Sequence, residues 1–306
     1  MMRLVVLGAA AGGGVPQWNC GCIVCTAARR EHPELRATQS SIAVSADGAN
    51  WFLINASPDL RQQITQTPQL HPQPGKLRHS PIEGVILTNG EVDAVAGLLS
   101  LREGWPLTIY AHRRVIDTLN SNSIFNVLAP GVVRREPIEL DQPFEPALAD
   151  GSRSGLEILP FAVPGKGAWY LEGQGEAEAP GDTLGLEIRS KADGKSFFFI
   201  AACAGMTPEL EARLSGASLI FFDGTLWRDD ELIAQGLGKK TGQRMGHMAM
   251  SGQGGAIEAL AGLEIGRKIF LHINNSNPVL LPGSPERAAA ERAGWQIPHD
   301  GMEIVL

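Results

Sequence analysis

The side chains best suited to chemistry stand just after an apolar run at residues 84–87. Asn89, Glu91 and Asp93 place three oxygen-bearing side chains within five positions. Such oxygens bind metal ions or accept protons, so the stretch is a candidate active site. The alternative to an active site is a structural role. In that role Asp93 caps the free N–H groups of a following helix, and the residues before Asp93 form a turn.

Three of the four cysteines are clustered as Cys20-Gly-Cys22-Ile-Val-Cys25. A chain that turns at Gly21 can direct three thiolates at one ion, and thiolates favour zinc in a closed structural site. A histidine from elsewhere would complete such a site. The clustering suits metal in a reducing compartment better than a disulfide scaffold. Three unlinked thiols, or a redox pair, are the alternatives.

Further candidate groups follow other apolar runs. His272 lies at the end of the apolar stretch 268–273, Asp223 follows the run 218–222, and His247 stands in a loop of glycines and methionines. Imidazole and carboxylate groups at strand ends are typical of metal and acid–base sites. Each group also has a structural interpretation, as a satisfied polar residue or a loop anchor.

The elements that position these side chains follow from hydrophobic periodicity and turn signals. Predicted hairpins lie at 41–54, 183–201 and 295–306, and further strands at 4–7, 84–87, 107–111, 218–222 and 268–273. Predicted helices lie at 58–64, 93–102, 115–119, 208–214, 229–234, 256–263 and 285–293. Hairpins with interspersed helices in both halves predict an α/β fold with two sheets inside and helices outside, a four-layer αββα sandwich formed by residues 1–306 as one domain.

Two stretches carry less information. The glycines at 12–14 lack the G-x-G-x-x-G spacing, so dinucleotide binding is disfavoured. Residues 141–182 are rich in Pro and Gly and weakly periodic. We interpret them as a surface insertion, with a cover over an active site as the alternative.

Composition excludes several classes of function. The formal net charge is −7 without a long basic run, so nucleic acid and anionic membranes are poor partners. No apolar run reaches the roughly 20 residues needed to span a bilayer. The apolar start breaks at Gly8, which favours a first strand over a secretory signal. We expect a soluble, cytoplasmic protein.

Carboxylate and imidazole groups after several strands are the layout of a metallo-β-lactamase-like site. The usual His-x-His-x-Asp-His signature of such sites is absent. Asp93 stands at its matching place, with Asn89, Glu91 and Ala94 at the others. A two-metal hydrolase site is therefore disfavoured.

The whole chain resembles the pyrroloquinoline quinone (PQQ) biosynthesis protein B family. The strings that carry the resemblance are 12–20 (GGGVPQWNC), 38–44 (TQSSIAV), 55–59 (NASPD), 87–93 (LTNGEVD), 97–103 (GLLSLRE), 163–166 (VPGK), 245–247 (MGH) and 272–278 (HINNSNP). They are long and specific, and they run nearly from end to end.

The resemblance implies a metallo-β-lactamase-like fold and a role in making the redox cofactor. It implies an oxidoreductase, an iron(II)-dependent, oxygen-using hydroxylase that acts on the tyrosine ring of a Glu–Tyr unit cut from a precursor peptide. Its structural zinc would be held by Cys20, Cys22 and Cys25, and its active-site metal by Asp93 and His272.

One further residue is carried over with these ligands, since His247 matches a family histidine. In the oxidoreductase hypothesis, either His247 or Glu91 would move protons or position the phenol. The partners implied are the Glu–Tyr dipeptide or another PQQ precursor and other PQQ biosynthesis proteins. The resemblance leaves a homodimer open.

The chain departs from the family at two places. The family usually has Asp-His where this chain has Asp93-Ala94, and Pro-Gly before the cysteine that is Cys203 here. Asp93 and His272 alone leave the two-His-one-carboxylate set of oxygen-activating iron sites incomplete. Either another group replaces the imidazole, or the chain is a non-catalytic carrier that binds PQQ or its precursor in a transport role. A hydrolase of esters or phosphodiesters, suggested by fold alone, is the third hypothesis.

Overall fold

The structure is a computed structural model that describes residues 1–172 and 179–306. Its strands are β1 (Arg3–Gly8), β2 (Ser41–Ser45), β3 (Trp51–Ile54), β4 (Ile82–Ile86), β5 (Leu107–His112), β6 (Val133–Ile138), β7 (Leu156–Ala162), β8 (Leu184–Ser190), β9 (Ser196–Ile200), β10 (Leu219–Asp223), β11 (Arg267–Leu271), β12 (Trp295–Gln296) and β13 (Glu303–Val305). Its α-helices are α1 (Ile23–Arg30), α2 (Leu60–Gln66), α3 (Val92–Val95), α4 (Arg113–Ser121), α5 (Pro208–Leu214), α6 (Glu231–Ala234), α7 (Ala256–Ala259) and α8 (Pro285–Arg292).

The strands form two mixed sheets. The first has seven strands in the order β13-β1-β2-β3-β4-β5-β6, and the second has six in the order β12-β11-β10-β9-β8-β7. In each sheet one side is antiparallel, built from hairpins, and the other side is parallel. None of the helices in the described ranges has the length and apolar character of a membrane span.

The two sheets pack face to face because their strands alternate. In β1, Leu4 and Val6 point into the core between the sheets, whereas Val5 and Leu7 point outward under the helices. Successive side chains of a strand lie on opposite faces, so one apolar strand supplies two cores. Helices α2 and α4 cover the first sheet, and α1, α5, α7 and α8 cover the second. The predicted αββα sandwich is confirmed.

Two loops join the sheets at one edge. The chain after β1 pairs with the chain after β11, through Ala11 N–H to Ile273 O at 2.9 Å and Ile273 N–H to Ala9 O at 3.0 Å. Nearby, Leu184 N–H donates to Thr88 O at 2.8 Å. The ends of strands from both sheets therefore converge at this edge, which is where α/β folds place ligands.

Most predicted elements are present, among them the hairpins β2–β3 and β8–β9. The predicted closing hairpin at 295–306 is wrong. Strand β12 pairs with β11 in the second sheet and β13 pairs with β1 in the first, so the chain crosses between the sheets there. The apparent turn signal at Asp300-Gly301 marks this crossing.

Two smaller interpretations also change. Helix α2 begins at Leu60, two residues after Pro58, and Asp59 does not cap it; its carboxylate accepts hydrogen bonds from Gln39. The segment 141–182 is not only surface, because it contains β7 and a wall of the main cavity described below. Residues 173–178 of that segment lie outside the described part of the chain.

Candidate metal centres

A cavity of about 500 Å³ opens at the edge where the two sheets are joined. The loops after β1, β4, β10 and β11 contribute to its lining. Its lining includes Glu91, Asp93, His247 and His272, which are the predicted active-site metal ligands and catalytic residues, and also Asn89. Residues far apart in sequence are brought together there because their strands end at the same edge.

Asp93 and His272 are in direct contact at the floor of the cavity. Asp93 Oδ2 and His272 Nε2 lie 2.8 Å apart, and their side chains are only 18% and 13% exposed. Burial raises the pKa of Asp93, but the hydrogen bond to His272 and the charges of His272 and His247 together hold the pKa below the ordinary value. Burial lowers the pKa of His272, but the bond to Asp93 and the surrounding carboxylate charges together raise the pKa above the ordinary value.

The backbone of His272 is left-handed, with φ 57°. A non-glycine residue rarely adopts this conformation, and such residues concentrate at functional sites. Thr225 holds it in place, because its Oγ1 lies 2.9 Å from His272 Nδ1 and 3.1 Å from His272 O. The bond at Nδ1 leaves Nε2 as the nitrogen that meets Asp93.

A second imidazole stands beside the first. The rings of His247 and His272 are stacked, with centroids 5.1 Å apart and an interplanar angle of 19°. His247 Nδ1 lies 2.7 Å from Asp223 Oδ2, so Nε2 is the ring nitrogen left for a metal or a substrate. Asp223 is fully buried and accepts further hydrogen bonds from Cys203 N–H and Thr225.

These groups fit a metal ion. One ligand atom each of Asp223, His247 and His272 lies within 4.8 Å of the other two. Ligand atoms about 2 Å from a common metal lie about 3 Å apart, close to the separation of Asp93 Oδ2 and His272 Nε2. Imidazole and carboxylate donors suit divalent iron and zinc. Asp93 lies outside this converging set of described residues and meets it through His272 Nε2. Asp223 fixes the tautomer of His247 by the bond at Nδ1.

Glu91 lies at the side of the same cavity. Its Oε1 accepts a hydrogen bond from Trp169 N–H at 2.9 Å. Burial raises the pKa of Glu91, and the negative charge of Asp93 adds to the shift. A carboxyl group that holds its proton more readily than usual suits proton transfer. That role for Glu91 stays a prediction.

The other predicted site residue of this loop is structural. Asn89 Oδ1 accepts a hydrogen bond from Glu91 N–H at 3.0 Å, which closes a turn. Ala94 is 2% exposed and lines the cavity beside Asp93.

The cysteine cluster forms a second candidate centre, beside α1. The Sγ atoms of Cys20, Cys22 and Cys25 all lie within 4.8 Å of one another. Burial raises the pKa of Cys22 to about 12, whereas hydrogen bonds from Cys22 and other neighbours outweigh burial and lower the pKa of Cys20. Three converging sulfurs fit a thiophilic ion such as zinc.

The predicted histidine partner of this cluster is not there. No fourth His, Cys, Asp or Glu of the described residues reaches the three sulfurs. The neighbouring side chain is instead the amide of Asn275, whose Nδ2 lies 3.2 Å from Cys25 Sγ. Asn275 O also accepts a hydrogen bond from Cys22 Sγ at 3.4 Å. The strand carrying His272 leads directly into this asparagine, so the two centres share one loop.

Sequence reasoning undervalued several residues of the cavity. Asp223 was recognisable as a strand-terminal acid, but its bond to His247 is a tertiary contact. Lys166, Trp169 and Lys240 line the cavity and had no local signal of function. Lys166 and Trp169 come from the segment interpreted as surface, because Pro and Gly content gives no information about what a loop contacts.

Comparisons with known proteins identify the family and the fold of the chain. Residues 50–273 match the family model of the β-lactamase superfamily domain. The chain is 67% identical over 309 residues to coenzyme PQQ synthesis protein B of Bradyrhizobium diazoefficiens, with all of both chains covered. It is 56% identical to the protein of the same name from Gluconacetobacter diazotrophicus, with 99% of both covered.

Solved structures give the same result. The structure of Zn²⁺-bound PqqB from Methylobacterium extorquens superposes with a TM-score of 0.93 at 50% identity, covering 99% of this chain and 100% of that one. A diphosphatase of the PhnP family superposes with a TM-score of 0.68 at 19% identity, covering 100% and 98% of the two chains, which shows a shared fold alone.

Proposed function

The chain belongs to the coenzyme PQQ synthesis protein B family of the β-lactamase superfamily, and from this premise we propose that it is an iron(II)-dependent oxidoreductase. Its substrate would be the tyrosine ring of a Glu–Tyr unit on the way to the quinone cofactor. The reaction inserts one oxygen atom of O₂ into a ring C–H bond, and the other leaves as water with two electrons from an external reductant.

One observation carries this proposal. His247 stacks on His272 in the cavity that also holds Asp93. Two imidazoles and one carboxylate are the ligand set of many non-haem iron oxygenases. We infer that His247 supplies the imidazole that Ala94 cannot, and this supports an active enzyme over a carrier without turnover.

Each residue of the site has a stated task in this proposal. Bound iron(II) would supply oxygen activation. Asp223 holds His247 by the bond at Nδ1, and Thr225 holds His272 in the same way. Glu91, with its raised pKa, exchanges a proton with the phenol or the ring carbon that loses hydrogen.

Oxygen uptake and product mass test the proposal. The full chain is loaded anaerobically with iron(II), mixed with Glu–Tyr and ascorbate, and exposed to oxygen. We expect oxygen consumption that depends on the dipeptide, and a product heavier by one oxygen atom. Asp93→Asn and His272→Asn should abolish both signals while leaving zinc at the cysteine cluster.

A different result would move the carrier hypothesis to first place. No oxygen uptake with any divalent metal, together with tight binding of PQQ and no product, would contradict the hydroxylase. Hydrolysis of a generic phosphodiester would support the third hypothesis instead.

A further inference from the structure

Two lysines at the mouth of the cavity share one carboxylate. Lys166 Nζ lies 2.8 Å from Glu172 Oε1, and Lys240 Nζ lies 3.3 Å from Glu172 Oε2. The lysines come from separate loops, one after β7 and one after α6, and both line the cavity. Glu172 thus occupies a site built from two ammonium groups.

These two lysines differ in their surroundings. The Lys166 side chain is only 14% exposed, whereas those of Lys240 and Glu172 are 46% and 49% exposed. A largely buried ammonium needs an anionic partner. The partner it has is half in solvent, so water screens that carboxylate and a ligand anion can compete with it for Lys166.

The rest of the cavity lining explains why an incoming anion would go to the lysines. The acidic residues of the described lining are Glu91 and Asp93, which repel an anion from the floor. Lys166 and Lys240 are its lysines, and no arginine is among the lining residues described. A carboxylate on a ligand is therefore attracted to the mouth, while the uncharged end of that ligand points at the floor.

The wall between the lysines at the mouth and the acids at the floor is suited to an aromatic group of a ligand. Trp169 lies on the same wall with its side chain 59% exposed, although its backbone is anchored by the bond to Glu91. Tyr170 Oη donates to Gly90 O at 2.7 Å, which fixes the wall to the loop that carries Asp93. An exposed indole on a fixed wall offers a face on which an aromatic ligand can stack.

We propose that Lys166 and Lys240 bind the carboxylate of an aromatic ligand, and that Glu172 fills this site when the ligand is absent. The inference rests on the proposed function in one respect, since it takes the phenol end of the ligand to lie at Asp93 and His272. A ligand carboxylate that displaces Glu172 keeps both lysines paired and releases Glu172 to water.

Calorimetric binding to the purified full chain, without iron or reductant, tests the proposal independently of turnover. The probes are phloretic acid, a phenol with a single carboxylate, and phloretamide, its uncharged amide. We expect the acid to bind the unmodified protein about tenfold or more tightly than the amide, as a charge-assisted hydrogen bond requires.

The variants give effects of opposite sign. Lys166→Met and Lys240→Met should each weaken binding of phloretic acid about tenfold and leave phloretamide unchanged. Glu172→Gln should strengthen binding of the acid by about two- to fivefold, the range of a weak exposed ion pair, because it removes the internal competitor. Lys239→Met is the matched control, an exposed lysine next to Lys240 that is not in the described lining, and should bind both probes normally.

Three outcomes would overturn the carboxylate site: equal affinity of acid and amide for the unmodified protein, no effect of Lys166→Met, or weaker binding by Glu172→Gln. The last result would show that Glu172 only supports the structure of the wall. Failure of the hydroxylase proposal is distinguishable, since the acid would still bind with the lysine dependence while the iron-loaded protein consumed no oxygen.

Discussion

At the level of single residues, the main question is which imidazole completes the ligand set of the proposed active-site metal. Ala94 stands where the family usually has a histidine, and its methyl group is buried between the cavity and the outer core of the first sheet. His247 comes from a distant loop and is aligned by Asp223. Because Asp223 is itself fixed by backbone and hydroxyl donors, His247 is held as firmly as a ligand on a strand.

Measuring the metal content of variants at positions 94 and 247 shows which of the two positions supplies a ligand. We expect the unmodified protein to hold about one iron per chain beyond its zinc after anaerobic loading, because each active-site ligand set binds one ion. His247→Ala should lose that iron and keep the zinc. Ala94→His should gain no second iron and should lower the free energy of unfolding by about 1–3 kcal/mol, since a bulky ring enters a packed site. Plasma mass spectrometry and urea unfolding are the measurements. Iron bound only by Ala94→His would show that His247 is no ligand.

At the scale of elements, the cysteine cluster and the cavity are two ends of one loop. The loop leaves β11 at His272 and reaches the cysteines at Asn275, whose amide and carbonyl contact Cys22 and Cys25. A metal at the cysteines would therefore fix the loop that presents His272. Its contribution is to position a ligand, not to take part in the chemistry.

Removing one sulfur should act on both centres. Cys25→Ser is expected to lose bound zinc, lower the melting temperature and weaken iron binding at the cavity, because the loop carrying His272 is then held less firmly. Cys203→Ala is the matched control, since Cys203 is also a buried thiol but lies outside the cluster, and its zinc content should be unchanged. Zinc and iron content with a thermal unfolding curve would show this. Normal iron affinity in zinc-free Cys25→Ser would contradict the coupling.

At the level of the whole molecule, the carboxylate of one buried residue holds the C-terminal crossing between the two sheets in place. Asp300 accepts hydrogen bonds from Ala9 N–H at 3.1 Å and from Thr38 N–H and Oγ1, both at 2.7 Å. Burial raises the pKa of Asp300 from 3.8 to about 6, and the nearby Asp59 carboxylate adds to the shift. The folded protein therefore binds a proton at Asp300 more tightly than the unfolded chain does.

This shift predicts the sign of a pH effect on stability. A raised pKa stabilises the fold at low pH, and that contribution is lost as the pH rises from about 4 to about 6. Relative to Asp300→Asn, which does not titrate, the unmodified protein should lose about 2 kcal/mol across this window after allowance for partial exposure. Urea unfolding of both zinc-loaded proteins between these pH values measures the difference. A difference that stays constant with pH would contradict the assignment.

Local structure and the chemical types of the site residues could be predicted from the amino-acid sequence. Alternating apolar residues identify β2, β3, β8 and β9 and their hairpins, because a two-residue period specifies which face is buried. The spacing of the cysteines predicts their cluster, since neighbours in sequence cannot lie far apart. Asp223 and His272 were also recognisable as polar residues at the ends of apolar runs, and Asp93 as the start of the helix after another such run.

Which of these groups contact one another depends on long-range packing and could not be predicted from local sequence. His247 lies 25 residues before His272, and no local sequence pattern predicts that their rings stack. The pairing of Lys166 with Lys240 through Glu172, and the separation of β12 from β13, are decided in the same way. Periodicity reports burial within one element, whereas the order of strands in a sheet depends on long-range pairing. The cavity exists because that pairing brings the ends of strands from two sheets to one edge.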